Sequence, residues 1–230
     1  MTVQRLLQLA EFERVSPSVV ERAKSYASTI LCDVAGRRGS LHGRVQPLHP
    51  TMKIAGPAFT VEARPGDNLG FHLALAVAKP GDVIVVDGKG DLTSALFGDL
   101  MVTQAQAAGI AGLVVDGAVR DTNELIERGY PVFAAGRNPA GPTKGIAGRL
   151  SIPICVAGAP VNPGDLVVGD ADGVVAIPRA DVDAVLVAAA KKLADEQQRL
   201  REIAQGSLIS PWLDEALRRA GVIGADESLL

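Results

Sequence analysis

Aromatic side chains are scarce in this chain. Phe, Tyr and Trp together make up 3% of its 230 residues, with a single Trp. Its core must therefore be built from Ala, Val, Leu and Ile, as in a compact sheet with helices packed on it. Cysteine is nearly absent as well. Cys32 and Cys155 are the only two, both beside apolar residues, which predicts reduced, buried thiols in a reducing compartment rather than a disulfide framework. A basic excess is missing: the net charge is -3, which leaves no electrostatic footprint for nucleic acid. No apolar run approaches the length of about 18 residues that a membrane span requires. The Met1–Glu13 start has no long apolar stretch and runs into acidic residues, so a cytoplasmic protein without membrane contact is expected. His42, His49 and His72 are scattered, and no His-x-x-x-His, paired Cys or GxGxxG fingerprint is present. Each histidine reads as a surface or core residue, and nucleotide binding by the Gly-rich loops loses its main support.

What is plentiful is hydrophobic residue and turn chemistry: 47% hydrophobic, 25 Gly and 14 Pro. The length allows one large domain or two small ones. No low-complexity linker divides the chain, so a single domain over residues 1–230 is the simpler reading, with N-terminal helices over about 1–30 and a C-terminal helical arm over about 181–220. Ser16-Pro17 opens a helix expected to run through Ala27. Phe59–Ala63 alternates like a strand, and Asp67 can cap a helix from Leu69 to Ala78. The turn Pro-Gly-Asp occurs three times, at Pro65, Pro80 and Pro163. Its aspartates read as turn residues, because Pro sets φ and Gly supplies φ > 0. Strands are expected at Val83–Val86, Val132–Ala135, Ile154–Ala157 and Val174–Ile177. Between Arg137 and Gly148 the chain is too rich in Gly and Pro for an element interior, and it carries Arg137 and Lys144. Asp181 opens a long helix to about Gln205, apolar at first and then heavily charged, and Ser210-Pro211 starts a short one.

One spacing carries chemistry. Gly98-Asp99 is followed by twenty residues and then Arg120-Asp121. Leu100–Ala108 reads as a short helix stopped by Gly109, and Gly112–Asp116 as a buried strand followed by a Gly117–Val119 turn. Asp99 then sits at a helix N-terminus and Arg120-Asp121 beyond a strand end. If the two units pack as neighbours, two carboxylates and a guanidinium converge at one mouth, an inventory suited to a hard cation and a developing oxyanion. Taken singly, Asp99 and Asp121 read first as helix caps and Arg120 as a surface or ion-pair residue; it is their joint placement that points to function.

The text PGDVIVVDG, then ALFGDLMVTQAQAAGIAGLVVDGAVRD, then the Pro-rich loop ending in KG, resembles the family of 4-hydroxy-4-methyl-2-oxoglutarate aldolases and RraA-like proteins. The likeness is strongest from about Pro80 to Gly148. It implies an α/β fold, a three-layer sandwich resembling the swivelling β/β/α domain, assembled as a homotrimer or dimer of trimers. It implies that Asp121 ligates a divalent metal (Mg²⁺ or Mn²⁺), that Asp99 reaches the metal through water, and that Arg120 stabilises a pyruvate enolate. The substrate, a small α-keto acid, would place its carboxylate on the backbone N–H groups of Leu100 and Met101 beside Gly98. A glutamate from a neighbouring subunit's C-terminal helix completes the site in the family's aldolases; by position this is Glu196, with Glu202 as the alternative. The resemblance thus implies a metal-dependent aldolase that also decarboxylates oxaloacetate. The RraA branch implies instead a non-catalytic regulator that binds and inhibits a ribonuclease. Ser94 departs from the family, whose members often carry Gly there. Lys144 reads either as a contact for a distal carboxylate or as a solvated loop charge.

Overall fold

Four parallel strands form the floor on which the Gly98 and Arg120 segments are mounted. In the computed structural model, which describes residues 6–229, they are β2 (Ile54–Glu62), β3 (Val83–Phe97), β4 (Gly112–Val119) and β5 (Val132–Arg137). A two-residue β1 (Gln46–Pro47) pairs antiparallel with β5. At the other side of the sheet β9 (Leu166–Asp170) runs antiparallel to β2 and to β10 (Gly173–Ile177), and the short β6 (Arg149–Leu150) also pairs with β2. The order is β1-β5-β4-β3-β2-β9-β10. The sheet curls until its edges nearly meet: a Cβ placed on Gly173 would lie 3.8 Å from the Gln46 side chain. A small hairpin, β7 (Ile154–Val156) with β8 (Ala159–Val161), covers the inner face.

Three helices follow the parallel strands: α3 (Leu69–Val77), α4 (Asp99–Ala107) and α5 (Thr122–Arg128). Two further helices, α1 (Pro17–Ala23) and α2 (Ser28–Val34), precede the sheet. The strands are therefore buried on both faces. Phe59, Phe71, Phe97, Val102, Leu113 and Leu125 pack on the helix side. Val85, Val114, Phe133, Val156 and Val174 pack on the hairpin side. Four of the five Phe residues are fully buried. Burial on both faces explains why the parallel strands read as continuous apolar runs. The layered α/β architecture expected from the sequence is present, with its sheet rolled into a nearly closed barrel.

Local readings hold in part. Ser16 caps α1, its Oγ accepting the Val19 N–H, and Gly109 ends α4 with φ of +72°. The first helix stops at Ala23 rather than Ala27. The Ser25 hydroxyl returns to the Arg22 carbonyl, and Asp170 on β9 accepts both the Ser28 amide and hydroxyl, which starts a separate helix. Gly117–Val119 is strand, not turn: Ala118 and Val119 are buried and pair with Gly136 and Arg137. Gly117 is there because β3 shifts register beside it and comes close. β3 likewise continues past Val86 to Phe97 through those irregularities. Both cysteines are free, but neither is fully buried and Cys155 is exposed on β7. Among the described residues no helix is long and apolar enough to cross a membrane.

The chain divides into two units, residues 1–189 and 190–230. Helix α6 (Val182–Ala204) begins in the first, where Val182, Val185, Leu186 and Ala189 are buried. Its remainder belongs to the second unit and is lined by i,i+4 ion pairs, Lys191–Asp195 and Lys192–Glu196. A final helix, α7 (Leu213–Arg219), follows.

Candidate active site

The crossings β3–α4 and β4–α5 lie side by side, and Gly98 and Asp121 are the residues just outside the two helices. Asp121 adopts a left-handed backbone, φ +54° and ψ +40°, unusual for a residue with a side chain. This conformation turns its carboxylate back over Gly98. A methyl group on Gly98 would overlap Asp121 Oδ2 and crowd Arg120 Cγ, so any larger residue there must displace these side chains. Oδ2 accepts the Asp99 N–H at 3.0 Å, one of the first-turn donors of α4 left without a helical acceptor. Asp121 thus caps the neighbouring helix rather than its own; no side-chain cap bond forms on α5.

Arg120 lies beside this carboxylate, Nε 3.7 Å from Asp121 Oδ2, with both side chains about two-fifths exposed. Its amide is held by the Phe97 carbonyl. The 138–148 loop crosses the mouth: a Cβ on Gly141 would lie 2.9 Å from Arg120 Nη1. Asp99 faces another cation. Arg128, at the end of α5, donates to Asp99 Oδ1 from Nη2 at 2.6 Å and from Nε at 3.2 Å. Arg128 was not singled out from the sequence, although a cation in the last turn of TNELIERG, one element from Asp99, was the available signal.

The two amides expected to receive a carboxylate differ. The Met101 N–H points to the Gly98 carbonyl at 3.2 Å, and its sulfur takes the Asn68 Nδ2 donor at 3.2 Å. Met101 is buried, and its place in the structure is packing. Leu100 is 85% exposed, and its N–H has no acceptor among the described residues. Ser94 needs no left-handed backbone; its hydroxyl is buried and unpaired next to Gly66, beside the mouth. His72 is half-buried, with Nε2 unpartnered. Burial and the nearby Lys144 charge hold its pKa below the usual value. Gly98, Asp99, Leu100, Arg120 and Asp121 are thus brought together. Glu196 and Glu202 belong to the second unit, paired with Lys192 at 3.1 Å and Arg199 at 3.2 Å.

Among the described residues no cluster of three His, Cys, Asp or Glu side chains is arranged around a metal position. The mouth carries two carboxylates: Asp99 is held by Arg128 through Oδ1, and Asp121 has Oδ2 on an amide and no hydrogen-bond donor to Oδ1 among the described residues. That donor set is all oxygen and sparse. It fits a hard cation that keeps water or substrate oxygens for most of its ligands, as Mg²⁺ does.

The comparisons fall on the same segment. The RraA-like family model, described as Aldolase/RraA, matches residues 28–176. A protein of Halalkalibacterium halodurans named "Putative 4-hydroxy-4-methyl-2-oxoglutarate aldolase" is 40% identical over 199 residues, covering 86% of this chain and 95% of its own length. Among solved structures, the RNA-processing inhibitor RraA from Thermus thermophilis superposes with a TM-score of 0.61 at 32% identity, over 66% of this chain and 92% of that one. Streptomyces coelicolor RraAS2, titled an unusual member of the RNase ES inhibitor RraA protein family, gives 0.72 at 28% identity, over 82% and 100%. Both crossings, the loop over Arg120 and all but the last residue of the rolled sheet lie inside the matched span, and the chain belongs to the RraA-like (Aldolase/RraA) family.

Proposed function

We propose that this chain is a metal-dependent lyase that breaks a carbon–carbon bond next to an α-keto acid. Its substrates would be of the 4-hydroxy-4-methyl-2-oxoglutarate type, and oxaloacetate would lose CO₂ through the same pyruvate enolate. The observation that carries this reading is the Asp121 carboxylate folded over Gly98, with the Arg120 guanidinium beside it and an unused helix N–H at Leu100. A Mg²⁺ or Mn²⁺ ion on Asp121 would supply a Lewis acid for the substrate's keto oxygen. The Leu100 N–H, at the positive end of α4, receives the keto acid's carboxylate. A water held at Asp99 takes the proton of the substrate hydroxyl. The electron pair of that O–H bond forms the new carbonyl, and the breaking C–C bond leaves its pair on the pyruvate fragment. Arg120 stabilises the negative oxygen that results, and the same water returns its proton to the methylene carbon. With oxaloacetate, CO₂ is the departing fragment and the enolate is identical.

The oligomer belongs to this reading. Glu196, on the charged half of α6, would be contributed by a neighbouring copy in a homotrimer or a dimer of trimers. Mixing inactive Asp121→Ala with inactive Glu196→Ala subunits should then restore activity, because some boundaries carry both native residues. If Glu196→Ala alone is fully active, that assignment fails. The lyase itself is tested by following pyruvate from oxaloacetate with Mg²⁺ or Mn²⁺, with and without EDTA. Metal-stimulated release abolished by EDTA supports it; unchanged release in EDTA refutes it. Similarity to the Thermus RNA-processing inhibitor and to the Streptomyces member of the RNase ES inhibitor family supports a second reading, inhibition of a ribonuclease through protein contacts. That reading predicts no pyruvate from either substrate and ribonuclease inhibition that survives Arg120→Ala.

A further inference from the structure

We infer that Asp67 is a positioning residue for this site: its buried carboxylate ties down the 138–148 loop so that Gly141 lies against the Arg120 guanidinium. The inference rests on the role given to Arg120 above. It starts from the three Pro-Gly-Asp turns. In two of them one oxygen closes the aspartate's own turn, Asp82 Oδ2 accepting the Lys79 N–H at 2.9 Å and Asp165 Oδ2 accepting the Asn162 N–H at 2.8 Å, while the other meets Arg14 or the Arg179 N–H. Asp67 differs in using both oxygens outside its turn. Oδ1 accepts the Leu69 N–H at 3.0 Å, at the start of α3, while Oδ2 reaches across to a segment far along the chain. There it accepts the Thr143 hydroxyl at 2.7 Å, the Gly145 N–H at 2.6 Å and the Ile146 N–H at 3.2 Å. Backbone bonds reinforce the join, Thr143 N–H to Gly66 O and Asn68 N–H to Thr143 O.

Asp82 and Asp116 each meet an arginine, but none of Asp67's partners carries a charge. A carboxylate that is 2% exposed and faces only neutral donors is held for its acceptor geometry. Burial works to raise its pKa, but the Leu69 and Gly145 amides, the Thr143 hydroxyl and the Ile146 amide outweigh that and bring it down to about 2. The loop's other end is fixed on β3 and β4: the Asn138 side chain donates to Leu92 O at 2.7 Å, Ala95 N–H to Ala140 O at 2.8 Å, and Asn138 N–H to Val119 O. Gly141, the residue against Arg120, sits between the two anchors. Releasing one anchor frees that contact and lets the guanidinium swing.

The test is Asp67→Asn, which keeps the shape but turns an NH₂ group or a weaker acceptor toward two amides. Three readouts are followed: hydrogen exchange at Gly145 and Ile146, the ¹⁵N signal of Arg120 Nε, and steady-state kinetics with oxaloacetate. Faster exchange in the loop, a broadened Arg120 signal, and kcat lowered about 10- to 100-fold with a smaller change in KM are expected, the cost of misplacing one reacting contact. Thr143→Val removes one donor and should move all three in the same direction by less, with Thr143→Ser restoring them; this pair decides the matter if Asp67→Asn does not fold. Faster loop exchange with unchanged kcat and an unchanged Arg120 signal would reduce Asp67 to a structural residue and overturn the inference. If the wild-type protein proves to have no lyase activity, the functional reading fails on its own. The Arg120 signal then still decides this inference: broadening in the variant supports it, and no change overturns it.

Discussion

The two strand-to-helix crossings at the site, β3–α4 and β4–α5, have opposite chemistry. One gives up its side chain: Gly98 offers bare backbone, φ -148°, and an open space above it. The other accepts strain to fill that space, since Asp121 takes a left-handed backbone that costs a non-glycine residue about 1–2 kcal/mol. Neither makes sense alone. A glycine N-cap is a poorer cap than Asp or Ser, and a left-handed Asp that fails to cap its own helix is a poor start for α5. Together they lock a carboxylate onto the end of α4 next to a guanidinium. Local stability is spent at both crossings for one shared arrangement, a pattern expected where geometry serves function.

The comparison breaks most severely at Gly98. Gly98→Ala puts a methyl where the Asp121 carboxylate rests, and pyruvate release should fall by at least about 10²-fold while the melting temperature changes little. A variant that kept wild-type kcat would show that the stacked carboxylate is incidental. Arg120→Ala comes next. Losing an oxyanion donor typically costs about 10²–10³ in kcat, and Arg120→Lys should recover only part, because an ammonium lacks the planar fork. A raised KM at unchanged kcat would make Arg120 a binding residue only.

A smaller effect sharpens the strain argument. Asp121→Gly and Asp121→Ala both remove the carboxylate, but glycine tolerates φ near +54°. By thermal or urea unfolding the glycine variant should be the more stable by about 1 kcal/mol; equal stability would remove strain from the account. The smallest effect concerns pH. Asp67 has its folded pKa lowered from 3.8 to about 2, so the folded state binds its proton less readily than the unfolded chain. Its contribution is complete above pH 4 and is lost as the pH falls toward 2. The stability difference between wild type and Asp67→Asn should shrink across that window. A difference that stays constant from pH 5 to pH 2 would mean the carboxylate is not held as described.

Much of this was readable before the structure, for physical reasons. The helix from Asp99, its stop at Gly109 and the buried strand from Gly112 follow from periodicity and glycine placement, which act over a few residues. The Gly98-Asp99 and Arg120-Asp121 pairing was legible because a twenty-residue strand–helix unit returns neighbouring segments to the same sheet edge. Gly117 misled because a glycine that admits the irregular part of β3 looks the same in sequence as one in a turn. The break at Ser25 and the restart at Ser28 depend on Asp170, more than 140 residues away by sequence. The double hold of Arg128 on Asp99 and the reach of Asp67 to Gly145 are likewise contacts between distant segments. Side-chain hydrogen bonds of that span leave no local signature. Nor could the sequence show that Met101 would spend its amide on Gly98 while Leu100 kept its own unused.

The central claim is that Asp121, held over Gly98 beside Arg120, is where a divalent cation and the chemistry meet. Titrating Mn²⁺ into wild type and Asp121→Ala, and following the free ion by electron paramagnetic resonance in the presence of pyruvate, tests it most directly. The account predicts saturable binding in the wild type, lost in Asp121→Ala at equal protein concentration with the fold intact by circular dichroism. Binding of equal strength in the two proteins would contradict it.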